Sequence, residues 1–435
     1  MSRLLYYMGL LLFIAMATVA GIAQTSSTPL TEAAAVQLAL QKHPSLRAAQ
    51  AQAGMAHAQV GIARAEQHLQ VSANGMADAS TMESAIAVPG VMPQAILQSQ
   101  DKTSLDVNGM AMLPLYTGGR IQQNIRAAEF NAQAADSQVT AARVQLAADV
   151  RTAYAGWQQA LAMVRVATDT VTAQQSTTTQ VTQLYETGKV PRFDLLRAQA
   201  ALAAAQQQLA NAQADATTAR ARLAQTVGVS ADTLAAPVEE TALPTPPTGT
   251  IETALARRPE LLAAGKTISA RQANVLARQA AYKPQVYAFG MADGFVPSNM
   301  GDNAGLTVGV VAGVPILDGG RRRAEVSEAQ QAVTEAQAAR DTLTLQIRAE
   351  VAGAEARVTA ARQNIDTATA QVTAANEAYA VAQARYTAGR GTIVELLDAQ
   401  RAVTEAQQNL VTSHAQYKAA LAELYRAIGV DTVAA

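Results

Sequence analysis

Two long stretches of the chain place apolar or bulky residues at every seventh position. Val150, Trp157, Val164, Val171, Thr178 and Tyr185 form one series; Val351, Val358, Ile365, Val372, Tyr379 and Tyr386 form the other. A shorter series follows each: Leu195, Leu202, Leu209, Ala216 and Leu223, then Leu396, Val403, Leu410, Tyr417 and Leu424. A strict seven-residue seam predicts pairs of helices in left-handed coiled coils. Pro is absent from 120–187 and 321–388, where only Gly156 and Gly353 interrupt. The pattern predicts long helices over 118–187 and 319–388, and returning helices over 192–228 and 392–429. Gly188 and Gly389 sit at the turns between them, where a left-handed C-terminal cap suits glycine. At about 1.5 Å per residue each long helix spans roughly 100 Å, and the returning helix covers about half of it. Further helices expected over 31–69 and 251–283 would cover the other half, giving a rod.

Four short segments alternate instead with period two: 70–78, 106–115, 285–293 and 306–316. In the first, Val71, Ala73, Gly75 and Ala77 share a face opposite Gln70, Ser72, Asn74 and Asp78; in the second, Val107, Gly109, Ala111, Leu113 and Leu115 oppose Asp106 and Asn108. Apolar-out, polar-in strands of about ten residues suit an outer-membrane barrel. The same alternation also fits a soluble hairpin cap. Four strands cannot close a barrel, and open edges cannot sit in lipid. Identical copies would have to complete the wall, with eight strands from two chains or twelve from three.

The two halves are one plan written twice. Pro44 pairs with Pro259 and Gly75 with Gly290, each 215 positions apart; Pro114 pairs with Pro315, Gly188 with Gly389 and Gly228 with Gly429, each 201 apart. The first half therefore carries 14 extra residues between Gly75 and Pro114, which length variation assigns to a loop. The expected organisation is a leader at 1–23, a first repeat at 24–238, a Pro-rich linker at 239–250 and a second repeat at 251–435. The leader reading rests on Arg3, the short apolar run Leu4–Ala20 and the small residues before Gln24. A single N-terminal anchor is the alternative.

Composition narrows the classes. The 435 residues include 15% charged and 4% aromatic residues with a net charge of −1, so nucleic acid is not an expected partner. There is no Cys, which excludes disulfides, thiolate metal sites and a lipid-modified cysteine. The four His lack metal-pair spacing, and no phosphate loop or nucleophile–base set appears. Neither a cofactor nor an enzyme activity is expected.

Taken in order, "LALQKHPSLRAA", the paired "LPLYTGGR" and "VPILDGGR", and above all "RYTAGRGTIVELLDAQ" resemble the TolC-like outer-membrane efflux family over essentially the whole mature chain. The resemblance implies a mainly α chain with a membrane β-barrel. Three protomers would each give four strands to a 12-stranded outer-membrane barrel, continued by a periplasmic helical barrel. It implies an exit duct for drugs, toxic small molecules or proteins. The implied partners are a periplasmic adaptor and an inner-membrane pump of the RND or ABC type, in efflux or type I secretion. Pro114, Gly118, Gly119, Pro315, Gly319 and Gly320 would be the strand–helix junctions. Gly188, Gly389, Leu195, Leu196, Leu396 and Leu397 would form adaptor-contacting tips.

By position, Glu395 and Asp398 match the family's acidic constriction, and Asp194 and Tyr386 a pair that bonds neighbouring coils in the closed state. Gly391 stands where the family has a basic link residue, with Arg390 next to it, and Phe193 replaces a small polar residue. Independently, a ring of like carboxylates near an axis should favour cations. Both acids would equally suit the first turns of a solvated helix. The competing function is a periplasmic coiled-coil structural or adhesive protein without a transport role.

Overall fold

A computed structural model describes residues 29–85, 97–238, 243–247, 251–296 and 304–430. The expected leader lies outside these residues, as do 239–242 and 248–250 of the expected linker. In chain order the elements are α1 (Glu32–Lys42), α2 (Pro44–Ala65), β1 (Gln70–Ala85), β2 (Leu97–Tyr116), α3 (Arg120–Glu186), α4 (Arg192–Val227), α5 (Ile251–Arg257), α6 (Pro259–Gln279), β3 (Gln285–Val296), β4 (Ala304–Gly313), α7 (Arg321–Thr387) and α8 (Ile393–Ala427).

The helices expected over 31–69 and 251–283 are each broken in two. A proline ring crowds the backbone of the residue before it and pushes that residue out of the α region. His43 (φ −67°, ψ 131°) and Arg258 (φ −57°, ψ 116°) show this, and Pro44 and Pro259 then open the next helix. Each kink is covered by the glycine that ends a returning helix. A Cβ added at Gly228 would lie 3.1 Å from His43 Cα, and one at Gly429 would lie 3.2 Å from Arg258 Cα. Both glycines have positive φ, +81° and +70°.

The long helices are the two spines. α3 is flanked by α1 and α2 along one half and by α4 along the other; α7 is flanked in the same way by α5, α6 and α8. The first core gathers Val36, Val150, Tyr154, Trp157 and Leu223. The second gathers Ile347, Val351, Tyr417 and Leu424. α3 also packs against α6 and α8, which joins the halves. That second set of neighbours changes the seam expected on α3. Val164 and Val171 are only half-buried and Tyr185 is exposed, whereas Val166, Ala167, Gln174, Thr177 and Val181 are buried. A helix packed on two sides does not keep one seven-residue stripe, because a straight helix drifts against that repeat.

Arg258 anchors the second kink. Its side chain is 4% exposed and reaches Glu260 at 3.1 Å and Glu350 at 3.0 Å. It also donates to the carbonyls of Arg426 and Ala427 at the end of α8. Arg151 plays a related part between halves, bonded to Glu32 at 3.1 Å and lying 5.1 Å from the Tyr425 ring.

All four strands form one antiparallel sheet in the order β1-β2-β3-β4. β1, β2 and β3 run well beyond the expected 70–78, 106–115 and 285–293, because ladder bonds need only backbone, whereas the readable alternation fades in polar stretches. β4 stops at Gly313, short of the expected Ile316. In the first half β2 passes Pro114 and continues to Tyr116, through an irregularity beside β3. In the second half Pro315 offers no N–H to a ladder, and no described strand lies beyond β4 to hold the segment after it.

Register gathers apolar residues on one face of the sheet over its helix-proximal rows. Val71, Ala111, Gly290 and Val308 form one cross-strand row; Ala73, Gly109, Ala292 and Leu306 form the next. The other face carries Ser72, Met110, Met291 and Thr307, then Gln70, Met112, Phe289 and Gly309. Phe289 lies across Gly309, where an added Cβ would sit 3.0 Å from the ring. Val71, Leu306 and Val308 are more than 70% exposed in the single chain. No described helix is long and apolar enough to cross a membrane.

Candidate functional site

Two regions hold the residues singled out from the sequence: the junctions between sheet and helices, and the hairpin tips. At the first junction Gly118 and Gly119 have φ of +63° and +95°, and at the second Gly319 and Gly320 have +64° and +88°. These left-handed conformations turn the chain from strand to helix at little steric cost only without a Cβ. Gly118 has a second constraint, since a Cβ there would lie 2.7 Å from Lys283 Cβ and 2.8 Å from the Ala280 carbonyl. Gly319 has open space around it. Asp318 starts α7: its carboxylate accepts from the backbone N–H of Gly320 at 3.1 Å and of Arg322 at 3.2 Å, and from Arg322 Nε. The hydrogen bond from the Arg322 side chain is the main reason its carboxyl titrates below the usual range. Arg322 also stacks over Tyr282 at 4.8 Å. Pro114 stands near the end of β2 and Pro315 just past β4.

At the tips, Gly188 and Gly389 both have φ +69°. The N–H of Gly188 donates to Tyr185 O and that of Lys189 to Leu184 O, each at 2.9 Å. The second tip repeats this with Gly389 to Tyr386 O at 2.9 Å and Arg390 to Arg385 O at 2.8 Å. Two bonds of this kind satisfy the last carbonyls of a helix and fix a sharp reversal. α8 then begins on Thr392, whose hydroxyl accepts from the N–H of Glu395 at 3.2 Å. The Thr-x-x-Glu spacing marks a helix start.

The tip core is shared by both hairpins. Val181 and Ala198 of the first pack with Tyr386, Ile393, Leu396 and Leu397 of the second, and Leu195 and Tyr379 border them. Tyr386 is buried, and its hydroxyl lies 3.5 Å from Asp194 Oδ2. Burial first, then the adjacent Asp194 charge and its hydrogen bond, push the phenol up to about 12. The structure therefore brings Tyr386, Asp194, Leu396 and Leu397 together. Leu196 is exposed instead, as are Phe193 and Tyr185, although their aligned residues Leu397, Val394 and Tyr386 all pack into or against the shared core.

Glu395 and Asp398 stand outside that core, each beside an arginine. Glu395 lies 3.7 Å from Arg385 and Asp398 lies 3.3 Å from Arg401. Arg390 is exposed, and its carbonyl rather than its guanidinium is engaged, by Arg385 at 3.5 Å. The cation beside the Glu395 carboxylate is thus Arg385, five residues before the one singled out from sequence. Sequence reading missed Arg385, Arg401 and Thr392. The Thr392–Glu395 spacing was the available signal for the last. Among the described residues no cluster of three or more His or acidic side chains could hold a metal.

Comparison with known proteins places this architecture. The sequence profile described as "Outer membrane efflux protein" matches residues 35–229 and 250–430. Outer membrane protein OprJ of Pseudomonas aeruginosa is 26% identical over 331 residues, which is 72% of this chain and 67% of that protein. A crystal structure of a membrane protein from Pseudomonas aeruginosa superposes with a TM-score of 0.79 at 25% identity, covering 91% of this chain and 90% of that one. The outer-membrane channel OprN superposes with a TM-score of 0.75 at 24% identity, covering 91% and 89%.

Proposed function

Since this chain belongs to the outer membrane efflux protein family, we propose that it is the exit duct of a tripartite system. Three copies close a twelve-stranded barrel in the outer membrane and extend a helical tube into the periplasm. The tube passes drugs, other toxic small molecules or proteins from an inner-membrane pump, of the RND or ABC type, through a periplasmic adaptor to the exterior.

The observation that carries this reading is the sheet. One face is apolar over the rows nearest the helices, and the sheet's outer strands β1 and β4 each lack a described neighbour on one side. An apolar face of this extent needs cover, and unpaired strand edges are unstable in lipid. A barrel completed by further copies satisfies both requirements at once. A structural or adhesive rod has no use for such a sheet.

The tips are the gate in this reading. Tyr386 and Asp194 tie the two hairpins of a protomer in the resting state, and the exposed Phe193 and Leu196 give an adaptor an apolar foothold. Glu395 and Asp398 recur in each copy near the axis and tune which ions pass. No energy source is needed in the chain, because the pump supplies it.

The test is fractionation and export. The protein should be recovered with the outer membrane only after detergent, and native mass spectrometry should give three copies. A deletion strain should retain a fluorescent apolar dye that the complemented strain expels. Recovery in the soluble periplasm as a single chain, with dye export unaffected, would remove the proposal.

A further inference from the structure

The polar face of the sheet carries three methionines side by side. Met110 on β2 pairs with Met291 on β3, and Met112 stands two positions further along β2 on the same face. Residues paired across strands have Cβ atoms about 5 Å apart, and diagonal ones about 7–8 Å apart, within reach of long side chains. Three thioether sulfurs can therefore meet at one point above the β2–β3 ladder.

Core packing does not account for them. Methionine commonly fills irregular gaps in an interior. Here the neighbours in the same rows are Ser72 and Thr307, then Gln70. The adjacent row holds the hydrogen bond from Asn74 to Asn108 at 3.2 Å. Met110 and Met291 are 37% and 38% exposed. Phe289, the residue opposite Met112, leans the other way: its Cε1 and Cζ lie over Gly309 on β4, 3.0 Å from where a Cβ would stand. A single exposed apolar side chain such as Met55 needs no explanation. Three adjoining thioethers among hydroxyls and amides need one.

Their chemistry selects a ligand. Thioether sulfur is neutral and soft, and it suits Cu(I) and the closely similar Ag(I). Zn2+ is held by thiolate, imidazole or carboxylate, and Ca2+ and Mg2+ by oxygen. The chain has no Cys, so no thiolate competes for a soft ion. The two rows contain no Lys or Arg to repel a cation. We propose that Met110, Met112 and Met291 form a binding site for a soft monovalent cation, Cu(I) or Ag(I). The site needs only the sheet. That it faces the conduit, where a passing ion meets it, rests on the reading that this face lines the duct.

The test is silver binding by the intact protein in detergent, in chloride-free nitrate buffer. The parent should hold about one tightly bound Ag(I) per chain, as one soft three-sulfur site allows. M110L/M112L/M291L should bind silver at least about ten-fold more weakly, the loss that even outer-shell partners cause. Leucine nearly matches methionine in volume, so the sheet keeps its packing. M55L/M163L, altered on α2 and α3, should bind as the parent does. X-ray absorption of the silver-loaded parent should show a sulfur shell, and excess Zn2+ should leave it in place. Equal silver binding by parent and triple variant, or a shell of nitrogen and oxygen, overturns the site. Native mass spectrometry of the same samples reads the copy number and so tests the duct separately. A three-copy particle that takes up no silver loses the site and keeps the duct. A single-chain particle that holds silver through these sulfurs does the reverse.

Discussion

The hydroxyl of Tyr386 on α7 lies 3.5 Å from the carboxylate of Asp194 on α4, so a phenol–acid contact joins the two hairpins of one chain beside a shared apolar core. The phenol donates only while protonated. Its raised value of about 12, against an ordinary 10.0, means the folded tip favours the neutral form. That contribution is complete below pH 10 and is lost as pH rises through about 12. Tyr386→Phe should therefore raise resting single-channel conductance in planar bilayers at neutral pH. It should also abolish the component of conductance that the parent gains between pH 10 and 12. Parent-like traces across that range would argue against the contact as a latch.

Arg385 stands 3.7 Å from Glu395 and Arg401 stands 3.3 Å from Asp398, all on solvated side chains. Each arginine screens the acid beside it. The variant E395A/D398A should weaken cation preference, and Arg385→Ala should strengthen it by leaving Glu395 unscreened. Reversal potentials under a salt gradient read both shifts. Equal potentials in all three proteins would exclude these acids from the narrow part of the path.

Arg258 holds two glutamates and two helix-end carbonyls from a nearly closed position. Its removal leaves Glu260 and the two carbonyls without it, while Glu350 keeps Arg426 at 3.4 Å. Arg258→Ala should cost roughly 2 kcal/mol, chiefly through the helix-end carbonyls left without their charged donor, and lower the thermal midpoint. The neighbouring exposed Arg257→Ala should stay within about 0.5 kcal/mol of the parent. Matching melts for the two variants would contradict the anchoring role.

Gly118 and Gly319 share a left-handed backbone, but only Gly118 is hemmed in by Lys283 and Ala280. Gly319→Ala should cost about 1–2 kcal/mol for the conformation alone. Gly118→Ala adds a clash with backbone and should reduce the yield of heat-stable, membrane-inserted protein far more. Similar yields from both would show that the first junction can shift.

The duplicated order of helix, hairpin, long helix and return was legible in the sequence because local rules generate it. Heptads mark helices that pair, alternation marks strands, and Gly188 and Gly389 mark reversals that almost only glycine allows. The membership of the family was legible for the same reason, since several such signals recur in one order. Other features required the fold. The drift of the seam on α3 follows from α6 and α8 packing against it, and a one-dimensional pattern carries no second neighbour. The extent of β1 and β2 follows from ladder bonds that any backbone makes. Above all, the sequence shows Tyr185 and Tyr386 as equals, and Leu196 and Leu397 likewise. Only the tertiary structure buries Tyr386 and Leu397 between hairpins and leaves Tyr185 and Leu196 exposed, because a chain with two copies of a unit makes one contact between them and leaves the other side of each open.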